Sequence, residues 1–166
     1  HLRGSVRPED VAKIDIRTYD LAVSGHDHTE IPGSYSAKMS IPYATAAGLI
    51  YGRAGLQEFS DEAVKDEKAL SLTRKITVSA DDQLSAAFPG IQAAVVTIHM
   101  KDGSAYTDRV DFPKGEPENP LTDAEFRARY DGLMDYAGVD AAARSAVYDL
   151  VEHEQAAQTN DLARLL

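Results

Sequence analysis

Cysteine is absent from the 166 residues. That excludes disulfides, thiol catalysis and cysteine-held zinc or iron–sulfur sites within the chain, and it fits a reducing, cytoplasmic compartment. Basic residues are scarce: 17 Lys and Arg stand against 27 Asp and Glu, a formal net charge of −10. Without the clustered cations that phosphate neutralisation requires, a nucleic-acid surface is not expected. No stretch approaches the ~20 consecutive apolar residues of a membrane span, and no internal repeat or low-complexity tract is present. The glycines form neither a GxGxxG fingerprint nor a P-loop, and there is no Gly-x-Ser-x-Gly elbow. Any chemistry must come from His, Lys, Tyr, Ser and carboxylates.

What remains is ordinary for a globular protein: 43% apolar and 27% charged residues. A chain of this length buries roughly 70% of its unfolded surface, so residues 1–166 are read as one domain that needs no metal or disulfide to hold it. The chain starts at His1 without an initiator Met, and no signal pattern follows. That start reads as the edge of a piece of a larger polypeptide.

Along the chain, Arg7–Val11 reads as one helical turn with Pro8 in its first turn, leading into a strand at Lys13–Tyr19. Residues 24–36, punctuated by Gly25, Pro32 and Gly33, read as a loop. Ser40 to Gly52 has a cap, Pro42 in the first turn, small apolar residues and a terminal glycine, and predicts a buried helix. A short turn at Leu56–Phe59, a charged helix at Asp61–Leu72 and a strand at Ile76–Ala80 follow. Ile91–Met100 and Ser104–Asp111 flank Asp102-Gly103 and predict a hairpin with a two-residue turn, His99 facing Tyr106.

The proline-rich stretch 112–120 reads as a rigid connector. Thr122-x-x-Glu125 is a capping box that opens a helix to about Ala137. Gly138 breaks it, Asp140 caps another to about Ala157, and Asp161–Leu166 reads as a short helix or tail. Without sustained βαβ alternation, the pattern predicts an α+β fold: a mostly antiparallel sheet of about four strands with helices packed on it.

Two constellations could carry chemistry. His26, Asp27, His28 and Glu30 are the right ligand types for zinc, or else the polarity of a solvated loop. Lys38, Ser40 and Tyr43 lie at the entry to the buried helix, where orphan N–H groups and the positive dipole end favour an anion. There Lys38 supplies charge, Ser40 a hydroxyl and Tyr43 a phenolic donor for a carboxylate substrate. In the alternative, Ser40 only caps, Tyr43 packs and Lys38 is solvated. His99 reads as a cross-strand packing residue and His153 as a surface one.

Three segments resemble a known family. Ser36–Ala44, Lys101–Thr107 and Lys114–Asp123 are similar, in order and spacing, to the C-terminal domain of MmgE/PrpD proteins, which include 2-methylcitrate dehydratase, cis-aconitate decarboxylase and iminodisuccinate epimerase. Met39 stands where an aromatic is common in that family. The resemblance implies that this chain is the α+β lid of a two-domain enzyme, preceded by a larger helical domain on the same polypeptide. The active site then lies in the cleft between them, with much of the acid–base machinery upstream.

The resemblance implies further that Tyr43 is presented to that cleft as a catalytic group, with Lys38 and Ser40 binding substrate beside it. Small di- and tricarboxylates are the implied substrates, without metal or other cofactor. Dehydration of a 2-methylcitrate-like hydroxy acid is the expected activity; decarboxylation and epimerisation are alternatives, and a homodimer is a possible assembly. A reading from another class is a non-catalytic α+β ligand-binding or dimerisation module.

Overall fold

The computed structural model describes residues 2–153 and 162–163. The chain divides into two compact units, His1–Pro120 and Leu121–Leu166.

In the first unit, a 3-10 turn at Pro8–Asp10 leads into β1 (Val11–Thr18), and the chain continues through α1 (Asp20–Val23), α2 (Ser34–Lys38) and α3 (Ile41–Tyr51). Turns at Gln57–Phe59 and Ala63–Lys65 precede α4 (Glu67–Thr73), β2 (Ile76–Ala80), α5 (Asp82–Ala87) and the hairpin β3 (Ala94–Met100) and β4 (Ala105–Val110). The strand order is β2-β1-β3-β4. β1 runs parallel to β2, as the long helical connection between them permits, whereas β1–β3 and β3–β4 are antiparallel. The sheet is thus mostly antiparallel and the fold α+β, as expected.

Strand alternation separates two faces. Ile14 and Ile16 of β1, Ile76 and Val78 of β2 and Ile98 of β3 pack with Ala46 and Leu49 of α3 and Leu72 of α4. Burying each branched side chain contributes about 1.5–3 kcal/mol. The register of β1 shifts between Val11 and Lys13, so that Ala12 is an extra residue and both Val11 and Ile14 face inward. Residues of the other parity form a second face: Val95 packs there with Leu84 of α5 and Ala93, and toward the other end Lys13 Nζ and His99 Nε2 each lie 3.0 Å from an oxygen of Asp15.

In the second unit, Leu121–Leu166, Thr122 accepts from Glu125 N while the Glu125 carboxylate accepts from Thr122 N at 2.8 Å, opening α6 (Asp123–Tyr136). Asp140 caps the start of α7 (Ala141–His153) by accepting from Ala142 N and Ala143 N. Among the described residues no helix is long and apolar enough to cross a membrane.

Several local expectations are corrected. Residues 34–36 of the expected loop are helical, in α2. The charged helix at Asp61–Leu72 is interrupted, because the Asp66 carboxylate accepts from Lys68 N at 2.9 Å and caps a new helix there. The hairpin turn has three residues: Met100 N donates to Ser104 O at 2.8 Å and Gly103 adopts φ +88°. His99 consequently faces Ala105, and Tyr106 faces Ile98. The continuation of α7 to Ala157 and most of the Asp161–Leu166 segment lie outside the described residues, as does the His153 side chain.

Candidate active-site edge at the start of α3

α3 forms where its signals place it. Ser40 is its cap, Pro42 sits in the first turn, and Gly52 ends it at φ +78°. A side chain at Gly52 would be strained by that φ and would meet the Arg3 guanidinium, 2.8 Å from an ideal Cβ position. Arg3 itself donates from Nε to Leu49 O at 3.2 Å, a cation on the negative end of the helix.

At the other end every backbone donor is occupied. Ser40 N donates to Ala37 O, Ile41 N to His26 O and Ala44 N to Ser40 O, and Pro42 has no N–H. Tyr43 N donates to Ser40 Oγ at 3.1 Å, and the same hydroxyl donates to His28 O at 2.7 Å. Ser40 is therefore a buried junction between the cap and the preceding loop. What α3 retains toward an anion is its dipole, together with Lys38, which is exposed at the end of α2.

The loop imidazoles are used for positioning. His28 Nε2 lies 3.1 Å from Ser36 O and 3.0 Å from Ser36 Oγ, so it carries the proton and donates. Ser36 Oγ in turn donates to Glu30 O at 3.2 Å. Among the described residues, His26 Nδ1 is buried and has no hydrogen-bond partner. Among the described residues no three His, Cys, Asp or Glu side chains gather as a metal-binding group; His26 and His28 are half-buried, and Asp27 and Glu30 are exposed.

Tyr43 points inward. Its side chain is fully buried, its hydroxyl donates to Glu58 O at 2.8 Å, and its ring meets the edge of Phe59. Burial pushes its pKa up, and the negative charges of Asp66 and Glu58 push it the same way. The phenol therefore stays protonated at neutral pH.

Glu58 is itself buried, with Oε1 2.7 Å from Arg53 Nε and Oε2 accepting from Gly55 N at 3.0 Å. Burial alone would raise its pKa, but those donors outweigh it and hold the carboxyl below its ordinary value. Beside them Tyr51 donates its hydroxyl to Asp66. The structure thus joins Ser40 and Tyr43 through one cap and leaves Lys38 outside on the surface. Sequence reasoning missed Glu58 and Arg53, which sit in no motif, and Glu58 meets Tyr43 through a backbone carbonyl that any residue would supply.

The family model for the MmgE/PrpD C-terminal domain matches residues 1–153. The chain belongs to the MmgE/PrpD family. This MmgE/PrpD C-terminal domain is 31% identical over 94 residues to a cis-aconitate decarboxylase-like protein, oryM, of Aspergillus oryzae. That match covers 56% of the chain and 19% of the relative, so the MmgE/PrpD domain spans a minor part of that protein's length. The family includes dehydratases and decarboxylases, and all three segments that carried the resemblance lie within the matched residues.

Proposed function

We propose that this domain is the lid of a two-domain MmgE/PrpD hydro-lyase that dehydrates a small hydroxy di- or tricarboxylate of the 2-methylcitrate type. The observation that carries the reading is the family match over residues 1–153. Lys38 and the positive end of α3 meet a substrate carboxylate and the negative charge that develops when the neighbouring carbon loses its proton. Ser40 fixes that helix end. Tyr43 is the acid: a base on the upstream helical domain takes the carbon-bound proton, the C–O bond breaks, and the departing hydroxide takes the phenolic proton to leave as water. Tyr43 is protonated at neutral pH, the form from which this step starts, and its raised pKa makes it a weak acid whose proton goes to a strongly basic acceptor such as the departing hydroxide. The helical domain of the same polypeptide and a second copy in a homodimer are the proposed partners, in the cytoplasm, and the proposed reaction calls for no cofactor.

Decarboxylation is the second reading, favoured by the name of the Aspergillus oryzae relative. Both begin at a carbon beside a carboxylate and diverge in what leaves. The test is to mix this chain with the separately expressed upstream segment. 2-Methylcitrate and related hydroxy acids are followed by absorbance of the unsaturated product, and cis-aconitate by release of carbon dioxide.

The chain alone is expected to show no turnover, with dehydration appearing on mixing. Carbon dioxide from cis-aconitate without dehydration would select the second reading, and silence from a demonstrated complex would leave the non-catalytic module. Tyr43→Phe in the full-length polypeptide is expected to lower kcat; an unchanged kcat would return Tyr43 to packing.

A further inference from the structure

We propose that residues 54–59 form a hinged cover over the Tyr43 hydroxyl, latched through Glu58 to Arg53 at its hinge, which lifts when a substrate carboxylate takes Arg53 from Glu58. This rests on the reading of Tyr43 as the proton donor. A phenol that is fully buried and already donates to Glu58 O at 2.8 Å cannot also donate to a substrate oxygen. Something must uncover it, and the segment above it has the properties of a movable piece.

Residues 54–56 are exposed, and the only regular structure that follows within the segment is the 3-10 turn Gln57–Phe59. Its polar contacts are largely with itself and its hinge: Arg53 Nε to Glu58 Oε1 at 2.7 Å, Arg53 Nη2 to Gln57 Oε1 at 2.7 Å, and Gly55 N to Glu58 Oε2 at 3.0 Å. Among the described contacts, the hydrogen bond from Tyr43 Oη to Glu58 O and the packing of the Phe59 ring on Tyr43 at the far end of the segment tie it to α3. The hinge at Arg53 comes directly after Gly52, whose φ of +78° gives the chain its change of direction.

A ligand shifts such an equilibrium only by binding the lifted state better. Arg53 supplies that preference. Its side chain is 66% exposed, within reach of a carboxylate, while its present partner Glu58 is 8% exposed. Exchanging Glu58 for a substrate carboxylate keeps the guanidinium paired, releases Glu58 to water as the cover lifts, and frees the Tyr43 hydroxyl at the moment substrate arrives. A molecule without a carboxylate leaves the latch shut, so the cover restricts access to acids.

The experiment uses the full-length polypeptide. Hydrogen exchange of residues 54–59 in the unmutated protein is expected to quicken when 2-methylcitrate is added and to be unmoved by the corresponding triester. Glu58→Gln, which weakens the hold on Arg53, is expected to quicken that exchange without ligand and to lower KM about threefold to tenfold, as removal of a conformational penalty requires. Equal protection of residues 54–59 with and without 2-methylcitrate would overturn the cover, whether or not the variant folds. An unchanged kcat in Tyr43→Phe would instead overturn the reading of Tyr43 as acid, and the exchange measurement, which needs no turnover, keeps the two failures apart.

Discussion

The two units of the chain are stabilised in different ways. The first is built around residues distant in sequence: Val11 and Ile14 of β1, Ile76 of β2 and Ile98 of β3 close on Ala46 and Leu49 of α3. In the second, no residue of α6 is buried, and Phe126, Leu133 and Tyr136 are exposed. Its contacts are those of one helix pair: the Thr122–Glu125 capping box and the Arg127–Asp131 pair within α6, and between α6 and α7 Arg127 set 4.2 Å above the Tyr148 ring, Tyr130 against the same ring and a buried Val147. Burial of apolar surface gives the first unit a cooperative core, whereas the second depends more on caps, pairs and a small contact between its two helices.

Removing core volume should sharpen that contrast most. Ile14→Ala is expected to destabilise the first unit by about 2–5 kcal/mol, the usual range for a truncated buried isoleucine; chemical denaturation monitored by hydrogen exchange in β1 and β3 measures it. Exchange protection in α6 that fell by the same amount would break the distinction between the units.

A smaller effect is expected at Glu58, whose folded pKa is below its ordinary value. The unfolded state then binds the extra proton first, so the contribution of Glu58 is present above the ordinary glutamate pKa of about 4.3 and is lost as pH falls through the folded value. Glu58→Gln should therefore cost about 1–2 kcal/mol near neutral pH, reduced by the exposure of Arg53. Denaturation across pH tests the sign: the gap between the two proteins should close in acid, and a gap that widened there would refute the assignment.

How much of this was legible in the sequence follows the same division between local and distant causes. α3 was readable from Ser40, Pro42 and Gly52, and α6 from Thr122 and Glu125, because caps act within one turn. The hairpin was readable but its register was not. Asp102-Gly103 suits a two-residue turn and equally a three-residue loop ending on a left-handed glycine, and pairing along the whole of β3 decides between them.

The candidate site shows the limit more sharply. Tyr43 was placed on α3 correctly, but its direction depends on Glu58, fifteen residues on, whose contact is a backbone carbonyl. Likewise Asp15 and His99 meet only because β1 and β3 are neighbours in the sheet.

The smallest expected effect probes the second unit alone. Thr122 accepts from Glu125 N at 3.3 Å, and the Glu125 carboxylate returns to Thr122 N at 2.8 Å. Thr122→Ala removes the first bond and leaves the carboxylate without the hydroxyl that also donates to it at 2.9 Å. Loss of such a cap costs about 1 kcal/mol. In a helix with no buried residue, little else compensates, so the loss should appear as faster exchange at the first turns of α6, with β1 and β3 unchanged. Unaltered exchange across α6 would mean that packing against its exposed Phe126, Leu133 and Tyr136 governs that helix, and the contrast between a packed unit and a capped one would fail.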